Sequence, residues 1–537
     1  MWQMYGGKDC VLTWGGLTDV PRRWISQEWL KKISREKSAE AIVPSAGART
    51  AWEGLNYGRW EEMKVTEVKA KHSQPSQTGK GLPQKDSAER ESYAGACNLA
   101  RITENTTTDA SDQRLLELIL ARNNLNAAYM RVKGNKGAAG VDKMQVGEMQ
   151  KYLQANGCTL IQAIEEGKYK PNPVRRVEIP KDEGKATRPL GIPTVIDRLI
   201  QQAVAQVLSP IYEQQFHNNS YGFRPKRGCH DAIKQCQGYI NQGYKYVVDM
   251  DLEKFFDTVN QSKLIEVLSR TITDGRVISL IHKYLCAGVV VRHSYKDTRE
   301  GVPQGGPLSP LLSNIMLNEL DKELGRRGHK FVRYADDLMI FCKSRRAAER
   351  TLANIVPFIE NKLFLKVNKD KTVVDYVGRV KFLGVSFYVQ KGEARARIHP
   401  KSLTRLKARI RQLTARSNGW SNEKRKQKLK EYIIGWINYF KIADIKSLLV
   451  RLDEWLRRRI RMVVWKQWKK TKTKFTNLSK LGIDKAKAWE WANTRKGYWH
   501  TARSPILHRS LTTEKLRKSG YLFFSDYYKT VIKKSVA

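Results

Sequence analysis

The sequence of 537 residues lacks both a membrane signal and a cysteine framework. It contains no apolar run of 18 residues and no secretory leader pattern, so it predicts neither a membrane partner nor export. Its seven cysteines are odd in number and include no C-x-x-C pair, which is typical of reduced thiols in a cytosol rather than of disulfides or a zinc site. No cysteine follows Cys342, which argues against a C-terminal zinc-dependent nuclease module with paired cysteines.

Acidic residues are scarce relative to basic ones. The chain has 98 Lys and Arg against 53 Asp and Glu, which gives a formal charge of +45 and a pI near 10.0. An excess of this size indicates a polyanionic partner, because neutralising phosphates releases condensed counterions. An anionic membrane is the competing partner, and without an apolar segment we favour nucleic acid. The length and the 41% of hydrophobic residues are enough for several domains and more than one core.

Tryptophan is absent from the middle of the chain: six lie before residue 61 and eight after residue 419. The polar stretch "KHSQPSQTGKGLPQKDSAERES" is typical of a linker, so residues 1–110 are interpreted as an uncertain, partly disordered N-terminal extension. Helical apolar spacing after a capping Asp or Ser predicts that an ordered domain begins near Asp112. No internal repeat of fixed period is present.

Short β-type runs alternate with helical patterns from about residue 245 to 390. "YKYVVDMDL" predicts one strand, and "FVRYADDLMIFCK" predicts two short strands around a turn, with helices such as "LSPLLSNIMLNELDKEL" between them. This alternation is typical of an α/β or α+β sheet domain. Beyond Pro400 the pattern becomes helical and basic, which predicts a change of domain there.

Two acidic clusters lie in strand contexts. Asp249 and Asp251 are two residues apart and therefore share one face of a strand, whereas Asp336 and Asp337 are adjacent in a later apolar run. For any single aspartate, a solvated strand edge or a turn cap is the ordinary interpretation. If the strands are neighbours, the carboxylates converge, and hard oxygen ligands of this kind suit Mg²⁺. Two such ions roughly 4 Å apart would activate an attacking hydroxyl and stabilise a leaving phosphate.

The tetrapeptide "YADD", Tyr334 to Asp337, resembles the Tyr-x-Asp-Asp signature of reverse transcriptases. Further stretches from about residue 112 to beyond 470 resemble, in order, the motifs of bacterial group II intron-encoded reverse transcriptases and maturases of the class without an endonuclease. They are "NKGAAGVD", "IPKDEGKATRPLGIPTVIDRLIQQAV", "SYGFRPKRGCHDAI", "DLEKFFDTV", "GVPQGGPLSPLLSNIMLNELD", "YADD", "LKVNKDKT", "FLGVSF" and "IIGWINYF".

The resemblance implies an α+β fold, a right-hand polymerase followed by helical domains. We expect fingers at 111–243, a palm with an antiparallel sheet at 244–398, interleaved with the fingers at their boundary, an all-helical thumb or maturase domain at 399–470 and a basic DNA-binding-like domain at 471–537. The first hundred residues resemble nothing that we can place.

The resemblance implies catalytic roles for Asp251, Asp336 and Asp337, which together with Leu252 would bind two Mg²⁺ ions, with Mn²⁺ as the alternative metal. Asp249 has the spacing for metal contact, but it departs from the family's trio, and we prefer a structural role for it. Residues implied to bind the incoming dNTP come from several motifs: Lys181, Arg188, Phe256, Gln304, Gly305 and Lys371. Phe256 would be the steric gate against ribonucleotides, although a core aromatic is the alternative for it, and an exposed turn lysine is the alternative for Lys371.

Basic segments at two places are interpreted as nucleic-acid contacts. Lys226 with its neighbours Arg224 and Arg227 belongs to the "SYGFRPKRG" block. In "WLRRRIRMVVWKQWKK", cations and aromatic rings share one helical face, which is typical of RNA or primer-template contact, whereas core tryptophans beside a solvated basic face are the alternative. The residues predicted there are Arg458, Arg461, Trp465, Lys466 and Lys469.

These features together predict an RNA-templated DNA polymerase that binds its group II intron RNA, assists splicing and copies the RNA into DNA at a DNA target. The expected partners are the intron RNA, an RNA template with a DNA primer, target DNA and dNTPs, in a bacterial cytosol associated with nucleoid or ribonucleoprotein. A related reverse transcriptase recruited to defence or DNA repair is one alternative. An RNA-binding splicing cofactor whose polymerase is dispensable is the other.

Overall fold

The computed structural model describes residues 114–180, 187–292 and 294–536. The predicted N-terminal extension at 1–110 and the predicted nucleotide ligand Lys181 lie outside the described residues. Five of the seven cysteines fall within them, and all five are free thiols, as the cysteine pattern predicted.

The N-terminal part of the described chain combines helices with a four-stranded sheet. In chain order its elements are α1 (Leu115–Leu120), α2 (Arg122–Asn135), a 3-10 turn (Val146–Glu148), α3 (Met149–Glu165), β1 (Val174–Pro180), β2 (Thr187–Ile192), α4 (Val195–Glu213) and α5 (Cys229–Asn241). The sheet has the order β2-β1-β4-β5, and it borrows β4 (Val289–Val291) and β5 (Ser294–Lys296) from later in the chain. Residues expected in the palm therefore complete a sheet of the fingers region.

A second, fully antiparallel sheet lies at the centre of the molecule, as the sequence predicted. Its strands are β3 (Tyr246–Met250), β6 (Lys330–Tyr334), β7 (Asp337–Cys342) and β8 (Val373–Tyr376), in the order β6-β7-β3-β8. The connecting helices are α6 (Phe255–Thr258), α7 (Gln261–Ser269), α8 (Gly275–Leu285), α9 (Ser309–Arg326) and α10 (Arg345–Asn361). We call this sheet the palm sheet.

A hairpin and a series of helices follow the palm sheet. The hairpin consists of β9 (Val385–Gln390) and β10 (Glu393–Ile398). The helices are α11 (Pro400–Leu413), α12 (Asn422–Phe440), α13 (Lys446–Gln467), α14 (Thr471–Lys480), α15 (Lys485–Ala492), α16 (Tyr498–Thr501), α17 (Pro505–Ser510), α18 (Thr513–Lys518) and α19 (Phe524–Val536). The described chain is therefore helical from Pro400 onward, and the predicted α+β class with a helical C-terminal part is confirmed. None of the described helices is long and apolar enough to cross a membrane.

Hydrophobic cores cover both faces of the palm sheet, which explains why its strands are continuously apolar. On β7, Leu338 and Ile340 face a core shared with the helices of the fingers region. Met339 and Phe341 face a second core, which is built with α5 and with helices α11 to α19. Since side chains alternate along a strand, a strand buried on both faces has no polar face to present. A carboxylate in such a strand needs a compensating partner.

A buried ion pair anchors the hairpin between β6 and β7 to helix α9. Arg333 on β6 and Asp321 on α9 are 1% and 0% exposed, and Nε of Arg333 donates to Asp321 Oδ1 at 2.8 Å. The same guanidinium donates through Nη1 to the carbonyl of Ala335 at 2.9 Å and to Asn314 Oδ1 at 3.0 Å. A planar, multiply bonded guanidinium of this kind fixes geometry as well as charge. The helix α9 thereby sets the position of the hairpin.

Replacing Asp321 with Ala should destabilise the protein by about 3–5 kcal/mol, because it leaves the buried Arg333 charge unpaired. Glu319→Ala is the matched control, since Glu319 lies on the same helix but pairs with the half-exposed Arg270. That change should cost about 1 kcal/mol or less. Urea unfolding followed by circular dichroism measures both; equal losses for the two variants would contradict a structural role for the buried pair.

Candidate active site

Three aspartates lie on one face of the palm sheet at one end. In the antiparallel register of β3 and β7, Asp249 faces Met339 and Met250 faces Leu338. Continuing this register by one residue places Asp251 opposite Asp337. Cross-strand partners and residues two apart share a face, so Asp249, Asp251 and Asp337 project from the same side. The register thus brings both acidic clusters of the sequence together.

Asp336 occupies the turn that joins β6 to β7. Tyr334 pairs with Asp337, so Ala335 and Asp336 form a two-residue hairpin loop. Ala335 has a φ of 57°, the left-handed region that favours glycine, and its backbone is therefore strained. Gly222 packs directly on this turn: a Cβ there would lie 2.3 Å from the Ala335 nitrogen. Only glycine allows the "SYGF" segment to support the turn this closely.

Lys371 forms an ion pair with Asp251. Its Nζ lies 3.1 Å from Asp251 Oδ2, and both side chains are partly exposed. The segment that carries Lys371 is tied to the end of β3, because Asn368 N–H donates to the Asp251 carbonyl at 2.9 Å and the Asp251 N–H donates to Thr372 Oγ1 at 3.3 Å. Leu252, the next residue, forms a β-bridge with Val367 in the same segment. The predicted lysine is therefore adjacent to the catalytic end of the sheet.

A cleft opens in front of the catalytic hairpin, and six of the predicted site residues line it: Arg188, Phe256, Gln304, Gly305, Asp336 and Asp337. Phe256 packs edge-to-face on Phe255, with ring centroids 5.3 Å apart. Phe255 is buried in the core, whereas Phe256 is half-buried and faces the cleft. The structure brings together residues from motifs almost 150 positions apart in the chain.

The "PQGG" loop forms one wall of the cleft by docking on strand β2. The Gly191 N–H donates to the Gln304 carbonyl at 2.7 Å. Gly305 has a φ of 135°, and a Cβ at this position would lie 2.2 Å from the Gly191 carbonyl oxygen. The glycine is therefore required by the contact with β2. The family resemblance had implied instead a role for Gly305 in binding the incoming dNTP.

Phe223 also lines the cleft, and it was not singled out from the sequence. It follows Gly222 in the quoted "SYGFRP" segment and has a φ of 58°. A large aromatic residue in the left-handed region is held there by its surroundings. The available signal was the "SYGFRPKRGCHDAI" motif, in which Phe223 directly precedes the predicted contact Arg224.

Crowding of the carboxylates raises their pKa values. Desolvation by the surrounding protein, together with Asp336, Asp249 and Asp251, raises the pKa of Asp337 from its ordinary value of 3.8 to about 7. The Asp337 side chain nonetheless reaches the solvent of the cleft. Desolvation and the nearby Asp251 raise the pKa of Asp249 to about 6. The site accordingly holds protons more tightly than isolated carboxylates do.

The carboxylate chemistry of the aspartates suits a hard divalent cation, although their side chains are not arranged around a single point. Carboxylate oxygens are the ligands that Mg²⁺ and Mn²⁺ prefer, and a bound cation would relieve the repulsion that raises the pKa values of Asp249 and Asp337. Within the described residues, no group of three or more His, Cys, Asp or Glu side chains is already arranged around one point. One oxygen of the Asp251 carboxylate, Oδ2, is paired with Lys371.

Three predicted nucleic-acid contacts are contradicted by burial. Arg224 is 7% exposed, and its Nε and Nη2 donate to the Glu213 carboxylate. Arg461 is 5% exposed and donates through Nε to the Leu511 carbonyl at 2.9 Å. Trp465 is 1% exposed and packs in the core that joins α13 to the later helices. Because these groups satisfy the protein's own interior, they are not available to a nucleic acid.

The remaining predicted contacts lie at or near the surface and stay predictions. Lys226, Lys466 and Lys469 are exposed, whereas Arg227 is half-buried over the Tyr221 ring. Arg458 lies 3.8 Å above the centroid of the Trp499 ring and donates to the Trp499 carbonyl. The Arg458 guanidinium therefore remains close to solvent while it stacks on the Trp499 ring.

Comparisons with known proteins assign the chain to a family. Residues 179–387 match the family model described as reverse transcriptase (RNA-dependent DNA polymerase), and residues 403–482 match the maturase-specific domain of group II introns. Protein YkfC of Escherichia coli K12 is 35% identical over 305 residues, which cover 49% of this chain and 80% of that protein. The chain belongs to the group II intron-encoded reverse transcriptases.

Two further relatives of this reverse transcriptase are named as intron proteins. The group II intron-encoded protein LtrA of Lactococcus lactis subsp. cremoris is 31% identical, over 55% of this chain and 60% of LtrA. A putative COX1/OXI3 intron 2 protein of Saccharomyces cerevisiae is 30% identical, over 55% of this chain and 42% of that protein. A solved Cas6-RT-Cas1–Cas2 complex contains a chain that is 24% identical with a TM-score of 0.30, over 46% of this chain and 43% of that one.

Membership confirms the resemblance found from the motifs, and with it the expectation of a polymerase with a maturase domain. The family depends on a divalent metal, and its partners are nucleic acids. The domain boundaries and the roles of single residues remain predictions, because a family match assigns neither.

Stability without metal should depend on pH through Asp337. The folded state holds this proton more tightly than the unfolded chain does, so its stabilising contribution is full below the ordinary pKa and is lost as the pH rises towards 7. In EDTA, the melting temperature of the native protein should therefore fall relative to that of Asp337→Asn between pH 5 and pH 8.

The control for this prediction is Asp375→Asn, which removes a carboxylate from β8 of the same sheet. Adding Mg²⁺ at the higher pH should raise the melting temperature of the native protein more than that of Asp337→Asn. A difference between native protein and Asp337→Asn that does not change with pH would contradict the crowding of carboxylates.

Proposed function

We propose that the chain is an RNA-templated DNA polymerase that binds the RNA of a group II intron, assists its splicing and copies it into DNA at a target site. The observation that carries the proposal is that Asp251, Asp336 and Asp337 lie at the same end of the palm sheet, beside a cleft lined by Arg188 and Phe256. Its substrates are dNTPs, an RNA template and a DNA primer. The maturase-specific match at 403–482 supports the intron RNA as partner.

In this proposal Asp251, Asp336, Asp337 and the main chain at Leu252 hold two Mg²⁺ ions. When bound, the metals supply Lewis-acid stabilisation to the attacking 3′-hydroxyl and to the departing pyrophosphate. Mn²⁺ has the same preference for oxygen ligands and is the alternative ion. The fixed hairpin keeps Asp336 and Asp337 in place, since Arg333 and Gly222 hold the turn between β6 and β7.

The cleft residues bind and orient the nucleotide. Burial raises the pKa of Asp336, and the nearby Arg188 guanidinium opposes that rise, so Arg188 stands where triphosphate oxygens would approach the aspartates. Gln304 and Gly305 form the cleft wall that docks on β2, the strand that carries Arg188, and Phe256 would border the sugar. Lys371 contributes in two ways: it balances Asp251 before the metal binds, and afterwards its ammonium is free to donate a proton to pyrophosphate.

Extension of a DNA primer on an RNA template tests the polymerase directly. Asp251→Ala and Asp336→Ala should each lower extension by about 10³-fold or more, since loss of a metal ligand removes several kcal/mol of transition-state stabilisation. Asp375→Ala is the matched control on the same sheet and should extend normally. Long cDNA from either catalytic variant would refute the assignment.

Splicing of the intron RNA, measured with the same variants, separates the maturase from the polymerase. If both catalytic variants still assist splicing, RNA binding does not require the carboxylates. Failure of the well-folded native protein to extend any primer, with splicing retained, would favour the splicing cofactor over the polymerase.

Phe256→Ala should increase ribonucleotide incorporation about tenfold or more, because a shorter side chain no longer excludes the 2′-hydroxyl. The assay is competition between a dNTP and the matching NTP during primer extension. Phe364→Ala, which removes an aromatic side chain that is 54% exposed, is the control. An unchanged preference for dNTPs would mean that another residue forms the gate.

A further inference from the structure

A second cavity lies far from the aspartates in sequence, between α13, the loop after α11 and the short helix α16. Its volume is about 590 Å³, and it shares no lining residue with the catalytic cleft. Basic and aromatic side chains dominate the lining, which includes Arg416, Arg459, Met462, Lys466, Tyr498 and Trp499.

The aromatic wall of this cavity is exposed although large rings are usually covered. Tyr498 and Trp499 are each 37% exposed. The Trp499 ring is held in place from outside the cavity lining, since Arg458 stacks on it at 3.8 Å and donates to its carbonyl. Arg416 lies 5.4 Å from the centroid of the Tyr498 ring. The rings therefore form a fixed surface on which a planar group can stack.

The cations of the cavity have only neutral acceptors. Arg459 donates to Thr414 Oγ1 at 2.9 Å and to the Arg411 carbonyl at 3.1 Å. Lys466 Nζ donates to the Arg416 carbonyl at 2.7 Å. Within the described part of the chain, none of the cations that line the cavity forms a salt bridge, and no acidic residue belongs to the lining.

Like charges held together in this way attract an anion. Burial and the nearby Arg411 and Arg416 lower the pKa of Arg459, which reflects the same repulsion. A phosphate would relieve this repulsion through charge-assisted hydrogen bonds. The adjacent ring surface would at the same time accept a nucleobase, since base–aromatic stacking needs only an exposed π-face.

We propose that this cavity binds an unpaired nucleotide of a single-stranded nucleic acid, with its base against Trp499 and Tyr498 and its phosphate against Arg416 and Arg459. The proposal rests on the proposed function only in taking nucleic acid as the partner. A base-paired nucleotide does not suit the site, because its faces are covered by its neighbours in the duplex. The cavity therefore selects a looped or displaced strand over the primer–template duplex.

Anisotropy of a short labelled strand tests the site, with the same strand annealed to its complement as the comparison. Trp499→Ala and Tyr498→Ala should each weaken single-strand binding about tenfold and leave duplex binding nearly unchanged. Arg416→Gln should reduce the slope of log affinity against log salt by about one. Trp499→Phe, which retains a ring, should keep most of the affinity.

The matched controls lie in the same basic region outside the cavity. Trp489→Ala removes a ring that is 59% exposed and packs on Phe475, and Lys487→Gln removes an exposed charge from the same helix, α15. Trp489→Ala should leave single-strand affinity unchanged. Lys487→Gln should not distinguish single strand from duplex. DNA and RNA strands are compared in parallel, and the tighter binder identifies the source of the nucleotide.

The outcomes separate this proposal from the proposed function. Equal losses for single strand and duplex in the cavity variants would overturn the nucleotide site and leave a general basic surface. Unchanged affinity in Arg416→Gln and Tyr498→Ala would overturn it as well, and both residues are exposed enough for the variants to fold. If native protein fails to extend a primer while the selective losses persist, the cavity stands and the polymerase assignment falls.

Discussion

Mutual repulsion among carboxylates at the end of the palm sheet is the constraint on which the site depends. The antiparallel register of β3 and β7 forces Asp249, Asp251 and Asp337 onto one face, and the tight hairpin adds Asp336. Such a cluster is unfavourable until cations approach it, and Lys371 is the cation that now contacts Asp251. Repulsion that is costly without a metal ion becomes affinity for a divalent metal and for a polyphosphate that carries one.

A site of this kind requires a rigid support, because repulsion would otherwise push the aspartates apart. The supporting contacts are mostly hydrogen bonds and an ion pair, and they join segments that are distant in the sequence. Arg333 joins the hairpin to Asp321 and Asn314 on α9, and Asn314 donates in turn to the Gly222 carbonyl at 2.8 Å. Gly222 then contacts the strained turn at Ala335. The "SYGF" segment and the "LSPLLSN" helix thus contribute to catalysis through geometry, without facing the nucleotide.

Sequence reasoning succeeded where a local rule governs the structure. Alternation of side chains predicted that Asp249 and Asp251 share a face, and apolar runs on either side of "AD" predicted the β6–β7 hairpin. It failed where the answer depends on distant partners. Arg224 lies in a basic run but forms an ion pair with Glu213 on α4. Arg461 belongs to a basic helix but donates a hydrogen bond to the Leu511 carbonyl. Helical spacing predicted that Trp465 shares a helix face with cations, but it did not predict that Trp465 is buried.

The same distinction changes how the charge of +45 should be understood. Three arginines donate their hydrogen bonds to groups inside the protein: Arg333, Arg224 and Arg461. They therefore add to the net charge without adding to a nucleic-acid surface. Arginines that stack on exposed rings, such as Arg458 on Trp499, are different, because the ring orients the cation while leaving it near solvent. Among the arginines named here, the one stacked on an exposed ring therefore keeps its charge available at the surface, whereas the three buried ones do not.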